Sequence, residues 1–146
     1  GALTIGTLDG ANIEIKDAVG DDNIFTFGLK AEEVLHFYQN GGYYSNEYYY
    51  HDKRIRLVLE QLINGYFPET EGDFEAIYDS LLTQNDQYFV LRDFASYVNA
   101  QERVNTSYQD RNKWLEKSII NIAHSGYFSS DRTIREYAKE IWKIES

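Results

Sequence analysis

The chain has 146 residues, 42% of them hydrophobic, and its 24 Asp and Glu against 14 Lys and Arg give a net charge of −10. That balance argues against nucleic acid and anionic membrane surfaces, both of which need a basic footprint. The absence of Cys excludes disulfides and thiolate metal sites, and with no apolar run near the roughly 20 residues of a membrane span the composition points to a soluble, acidic, cytoplasmic domain.

Ala2 to Thr7 reads as a short strand, because Leu3, Thr4 and Ile5 are bulky or β-branched and Gly6 ends the run. Asp9-Gly10 is a turn dipeptide. Ala11 to Ala18 then forms a short helix, with Asp9 as its N-cap and Gly20 near its C-terminal end. After Asp21-Asp22-Asn23, Ile24 to Phe27 is a second short strand stopped by Gly28. Strand, helix and strand in this order make a βαβ unit with parallel strands. Two strands alone are unstable in water, so such a sheet calls for neighbours.

From Ala31 on the pattern is helical. "AEEVLHFYQNGG" sets Val34, Leu35 and Tyr38 on one face and stops at Gly41-Gly42. "HDKRIRLVLEQLINGYF" spaces Ile55, Val58, Leu59, Leu62 and Ile63 at helical intervals, with Gly65 as the stop. "DFEAIYDSLLTQND" repeats the spacing with Phe74, Ile77, Tyr78, Leu81 and Leu82. A longer helix from Arg92 to Tyr108 offers Phe94, Tyr97, Val98 and Val104, and "NKWLEKSIINIAHSG" offers Leu115, Ile119 and Ile122 before Gly126. The last helix, Ser130 to Trp142, has Ser130 as its cap and is expected to bury Ile134, Tyr137, Ala138, Ile141 and Trp142. The fold class expected is α/β and mostly helical, a short βαβ start (residues 1–28) followed by about six helices (residues 29–146) in one piece.

Chemistry is sparse in this pattern. His36, His51 and His124 are scattered without a ligand partner one helical turn away, and no G-x-S-x-G elbow is present. They read as surface or capping residues. Glu32-Glu33 and Asp21-Asp22 fall at helix starts or loops, where they complement helix dipoles. "GGYYSNEYYYHDKR" has two readings: a stacking platform for sugar rings, or a loop entering a helix with its tyrosines packed on the core. Gly6, Gly10 and the helix N-terminus beyond offer backbone amides to an anion, yet the spacing fits neither G-x-G-x-x-G nor a P-loop and suits a tight structural turn.

The wording of the chain carries more than its spacing. "GALTIGTLDGANIEI" closely resembles the segment of glycogen and maltodextrin (α-glucan) phosphorylases that directly follows their pyridoxal-phosphate lysine motif. "NIFTFG", "EYYYHDKRIRLVLEQLINGYF", "VLRDFASYVNAQERVNTSYQD" and "GYFSSDRTIREYAKEIW" resemble the same family in the same order. Departures are mild: Ile13 where the family usually has Val, the Gly-Gly-Tyr-Tyr approach to the tyrosine cluster, and no Pro within "HDKRIRLV".

The resemblance implies the C-terminal part of the second Rossmann-like domain of a GT-B glycosyltransferase. Its parent would use inorganic phosphate to remove terminal glucosyl units from an α-1,4-glucan, releasing glucose 1-phosphate, with pyridoxal phosphate as cofactor and a homodimer as the assembly. The cofactor lysine and the glycine-rich phosphate turn would lie upstream of Gly1. Lys16 and Lys30 sit in other surroundings. No catalytic, cofactor-binding or metal-ligating residue is therefore expected within the chain. Thr7, Asp9 and Asn12 are the candidates for supporting the site from behind, and turn and cap chemistry is their plainer role. A fragment of this kind is expected to be inactive alone, to hold no cofactor and to self-associate through its incomplete sheet. The alternative is a non-catalytic helical module of the same ancestry that binds glucan or a protein through the tyrosine cluster. Glycogen, starch and maltodextrin all stay open as the parent's substrate, and features of regulation would lie in its N-terminal part.

Overall fold

A computed structural model describes residues 1–67 and 74–144. β1 (Ile5–Thr7), α1 (Ala11–Val19), a 3-10 turn (Asp21–Asn23) and β2 (Phe25–Phe27) come first. There follow α2 (Ala31–Asn40), α3 (Ser45–His51), α4 (Lys53–Ile63), α5 (Glu75–Leu81), α6 (Val90–Gln109) and α7 (Arg111–His124). A 3-10 turn (Ser125–Phe128) and α8 (Ser130–Glu136) lead into a π-helical turn, Tyr137–Ile141. The chain is mostly helical, with a short two-stranded parallel sheet in which β1 and β2 are neighbours. The Phe25 amide donates to the Thr4 carbonyl at 2.9 Å.

Several expectations change here. Each strand is three residues long, Ile5–Thr7 and Phe25–Phe27, so Ala2 to Thr4 and Ile24 fall outside the strands. The βαβ start is followed by seven α-helices among the described residues. The additional one is α3, which forms where a loop was expected. Its sequence, Ser-Asn-Glu-Tyr-Tyr-Tyr-His, lacks an apolar stripe, and the helix is seated by burying one end. The next helix begins at Lys53 because Asp52 is extended and caps it, accepting the Arg54 amide at 2.9 Å. Asp9 does not cap α1: Gly10 takes that position at φ 45°, and no side chain caps the helix. Ser129, not Ser130, precedes α8.

The chain divides into two compact units. The first comprises Gly1–Gly6, Gly10–Phe25 and the residues from Arg103 on. Within it Val19, Ile24 and Phe25 are buried. Phe25 stacks on Trp114 at 6.3 Å between ring centres, and Tyr108 meets Trp114 edge-on at 5.1 Å. Polar bonds fix the 3-10 turn on α7. Asn121 donates to the Asn23 carbonyl at 2.9 Å, and Lys117 donates to that of Asp22. The expected burial along the last helix does not occur: Ile134, Tyr137, Ile141 and Trp142 are exposed, Ile141 to 63%. Periodicity marked one face of that helix, but among the described residues that face stays exposed.

The second unit comprises Thr7–Asp9 and Thr26–Glu102. Ile55 and Leu59 of α4, Leu82 and Leu91 form its core, with Tyr48, Tyr49, Tyr78 and Phe94 packed around them. A second, aromatic layer joins Phe37 of α2, Tyr43 and Phe89, with ring centres 4.9 to 6.0 Å apart. Burying such rings is worth roughly 1.5–3 kcal/mol each.

Candidate functional site

The turn after β1 is the first place to look. Thr7 donates its hydroxyl to Asp9 Oδ2 at 2.9 Å, closing the turn on itself. In the other unit Asn12 lies against Gly6, where an added Cβ would sit 2.5 Å from Asn12 Nδ2. A larger residue at position 6 would displace that amide. Thr7 and Asp9 thus meet, as turn chemistry. Asn12 is a close-packing partner of the strand that precedes it.

The loop leaving β2 is clamped onto α6. Gly28 donates its amide to Ser96 Oγ at 2.9 Å, and Leu29 donates to Asp93 Oδ1 at 2.9 Å. Gly28 has φ 88°, and a Cβ there would lie 2.6 Å from Asp93 Oδ2 and 3.2 Å from Thr7 Cγ2. Burial pushes the Asp93 carboxyl up, partly offset by the Leu29 amide. Asp93 and Ser96 escaped the sequence reading, since a helix surface acid has no local mark of a partner 64 positions away.

A polar hub holds the aromatic layer. Tyr43 donates to Asp86 Oδ2 at 2.6 Å, and the Leu91 amide donates to the same oxygen at 2.7 Å. Asn85 clamps the chain before α3, accepting the Ser45 amide at 2.8 Å and donating to the Tyr43 carbonyl at 3.0 Å. Burial first, then the bond to Asp86, pushes the Tyr43 hydroxyl far above its usual range. A buried hydroxyl bonded to a carboxylate oxygen that also takes a backbone amide is structural chemistry. The only hint in sequence was the turn pair Asn85-Asp86 between apolar runs.

The tyrosine cluster therefore splits by position. Tyr43 is buried and Tyr48 and Tyr49 are half-buried, whereas Tyr44 and Tyr50 are exposed. Beside it, an open groove of about 650 Å³ is lined by Glu47, Tyr48, His51, Lys53 and Arg92, among others. Its charges are of both signs, which singles out no ligand class.

The remaining candidates have local roles. His51 and His124 pair through Nδ1 with the carbonyls of Glu47 and Ile120, and His36 Nδ1 lies 3.2 Å from the Asn40 amide. No cluster of metal-ligating side chains occurs among the described residues. Glu33 accepts the Lys30 amide at the start of α2, and Asp21 pairs with Lys16 at 3.5 Å.

A family profile, carbohydrate phosphorylase, matches residues 1–144. The chain belongs to that family. It is 67% identical to the glycogen phosphorylase of Bacillus subtilis (strain 168) over 145 residues, 99% of this chain and 18% of that protein. It is 48% identical to the glycogen phosphorylase of Haemophilus influenzae over 146 residues, again 99% and 18%. Against the muscle form of Oryctolagus cuniculus the identity is 43% over 145 residues, 99% of this chain and 17% of that protein. The chain thus spans less than a fifth of the length of these relatives.

For a carbohydrate phosphorylase of the pyridoxal-phosphate type, the test is whether a lysine here suits a Schiff base. Lys16 is ion-paired with Asp21 at 3.5 Å, so its amine is already engaged by a carboxylate. Lys30 is exposed at the first residue before α2. Neither fits the group, and no step through it is derived from this chain. No helix among the described residues is long and apolar enough to cross a membrane.

Proposed function

We propose that this chain is the C-terminal part of an α-1,4-glucan phosphorylase, from the second Rossmann-like domain of a GT-B enzyme. The parent cleaves terminal glucosyl units with inorganic phosphate to give glucose 1-phosphate, works in the cytoplasm as a homodimer and carries pyridoxal phosphate on a lysine upstream of Gly1. The observation that carries the reading is one of coverage: the relatives align along 99% of this chain while the chain spans 18% of their length. The two-stranded sheet supports it, because a pair this short needs further strands beside it.

The fragment's own contribution is scaffolding. The clamp of Asp93 and Ser96 on the loop after β2, and the closed turn Thr7-Asp9, hold the strand ends from which α/β enzymes present their ligand sites. Thr7, Asp9 and Asn12 are positioning residues in this reading, and no residue of the fragment touches substrate.

The test is an assay of the purified fragment with glucan and phosphate, followed by dialysis against buffer after loading with pyridoxal phosphate. No glucose 1-phosphate and no retained pyridoxal absorbance are expected. Either signal above background overturns the inactivity of the fragment. Binding of glucan in co-sedimentation, lost on Tyr44→Ala and Tyr50→Ala, would favour a non-catalytic binding module instead.

A further inference from the structure

The sequence contains two Asn-Gly pairs, Asn40-Gly41 and Asn64-Gly65. A glycine after asparagine leaves its backbone nitrogen unshielded by a Cβ, free to approach the asparagine Cγ. Ring closure also requires rotation about the asparagine ψ until that nitrogen faces Cγ. Whether the fold permits this differs sharply between the two pairs.

Asn40 is the last residue of α2, and the Gly41 amide donates to the Phe37 carbonyl at 2.8 Å. That bond fixes ψ at Asn40. Its side-chain nitrogen, the leaving group, donates to the His36 carbonyl at 3.0 Å and lies 3.2 Å from His36 Nδ1. Closure at Asn40 would break the helix end and these side-chain bonds together.

Asn64 lies one residue beyond α4, exposed, at φ −100° and ψ 11°. Its own amide is bonded back to Glu60, which leaves ψ free. Among the described residues the Gly65 amide donates to no carbonyl. Among the described residues the side chain is tethered by one bond, the Tyr66 amide to Oδ1 at 3.1 Å, and that bond does not involve Nδ2. Opening this turn disturbs no helix hydrogen bond.

We propose that Asn64-Gly65 is a site of spontaneous deamidation, converting through a cyclic imide to aspartate and isoaspartate, while the fold protects Asn40-Gly41. Hydroxide or solvent base removes the Gly65 amide proton, and the nitrogen attacks Asn64 Cγ. The new N–Cγ bond forms, the Cγ–Nδ2 bond breaks, and Nδ2 leaves as ammonia after taking a proton from water. Water then opens the imide at either carbonyl. Attack at one carbonyl leaves aspartate, attack at the other leaves isoaspartate with an extra methylene in the backbone. The product carboxylate stands at the negative end of the α4 dipole and adds to an already acidic chain, so the converted form is the less stable one.

The test is incubation of the folded full chain in mildly alkaline buffer, followed by peptide mapping at intervals. The Asn64 peptide is expected to gain one mass unit and split into two chromatographic products, several-fold faster than any change in the Asn40 peptide. Incubation in denaturant should bring the two pairs to similar rates. Asn64→Gln should abolish the change, and circular dichroism checks that this variant folds. An Asn64 peptide that stays unconverted while the denatured chain converts overturns the proposal. So does equal conversion of both pairs in the folded chain.

Discussion

Tyr43 and Asp86, 43 positions apart, share a 2.6 Å hydrogen bond between two buried side chains. Asp86 is 2% exposed, and the same carboxylate oxygen takes the Leu91 amide. One acid therefore joins the segment before α3 to the start of α6. Tyr43→Phe keeps the ring packing and removes the donor, leaving a buried acceptor undersatisfied. The expected loss of stability is about 1–3 kcal/mol, measured by urea unfolding. Asp86→Ala, which strands both Tyr43 and the Leu91 amide, should cost more.

The same pair sets an alkaline limit. The Tyr43 hydroxyl is raised far above its usual value of 10.0, chiefly by burial and then by Asp86. A raised folded value means the neutral hydroxyl is favoured in the fold. Its contribution is fully present below about pH 10 and declines above it as the unfolded chain ionises. Unfolding free energy measured across that range should fall more steeply for the wild-type chain than for Tyr43→Phe. Parallel profiles would contradict the assignment.

Gly28→Ala meets two obstacles, a φ of 88° and the Asp93 carboxylate 2.6 Å from the new Cβ. Gly41→Ala has a φ of 69° and open space around its Cβ. The second variant should lose about 1–2 kcal/mol from backbone strain alone. The first should lose more, and part of the excess should return in Gly28→Ala/Asp93→Ala, where the clash is relieved. Thermal unfolding of the three variants reads the difference.

Asp52 caps α4 and also pairs with Arg54 at 2.7 Å. The Arg54 side chain, followed by backbone amides, holds its carboxyl down at about 2 against a usual 3.8. A lowered folded value contributes stability above the unfolded value, and that contribution is lost as pH falls from about 4 towards 2. Asp52→Ala should remove about 1 kcal/mol at neutral pH and Asp52→Asn far less, because asparagine still caps. Denaturation midpoints at neutral and acid pH separate the two effects.

The parts legible in sequence were those set by neighbours in the chain. Ile5, Phe25 and Phe27 marked strands through branched and aromatic residues between glycines, and Ile55 and Leu59 marked the core face of α4. The family was legible as well, through long runs of matching residues. α3 was not, because three consecutive tyrosines carry no helical period and the helix depends on Asn85 clamping its first turn. Asn85 and Asp86 themselves sit at φ 59° and 46°, a backbone choice that only the folded hub makes favourable. Asp93 was hidden for the same reason: its partner is the Leu29 amide of a distant loop. Periodicity also overstated burial in the last helix, since it reports which face is apolar and not what covers it.

That uncovered face leads to the last prediction. In α7 Ile119 and Ile122 are exposed, and beyond it so are Ile134, Ile141 and Trp142. A chain that exposes this many large apolar side chains to water lowers its free energy by roughly 25 cal/mol for each Å² of apolar surface it covers. A second copy of the chain carries the same exposed face and can cover it. Sedimentation velocity should show a concentration-dependent rise in mass for the isolated chain. Ile119→Lys and Ile141→Lys, both at exposed positions, should shift the chain toward monomer with little change in unfolding midpoint at low concentration. A monomer that persists across the accessible concentration range would show that these side chains tolerate solvent without association.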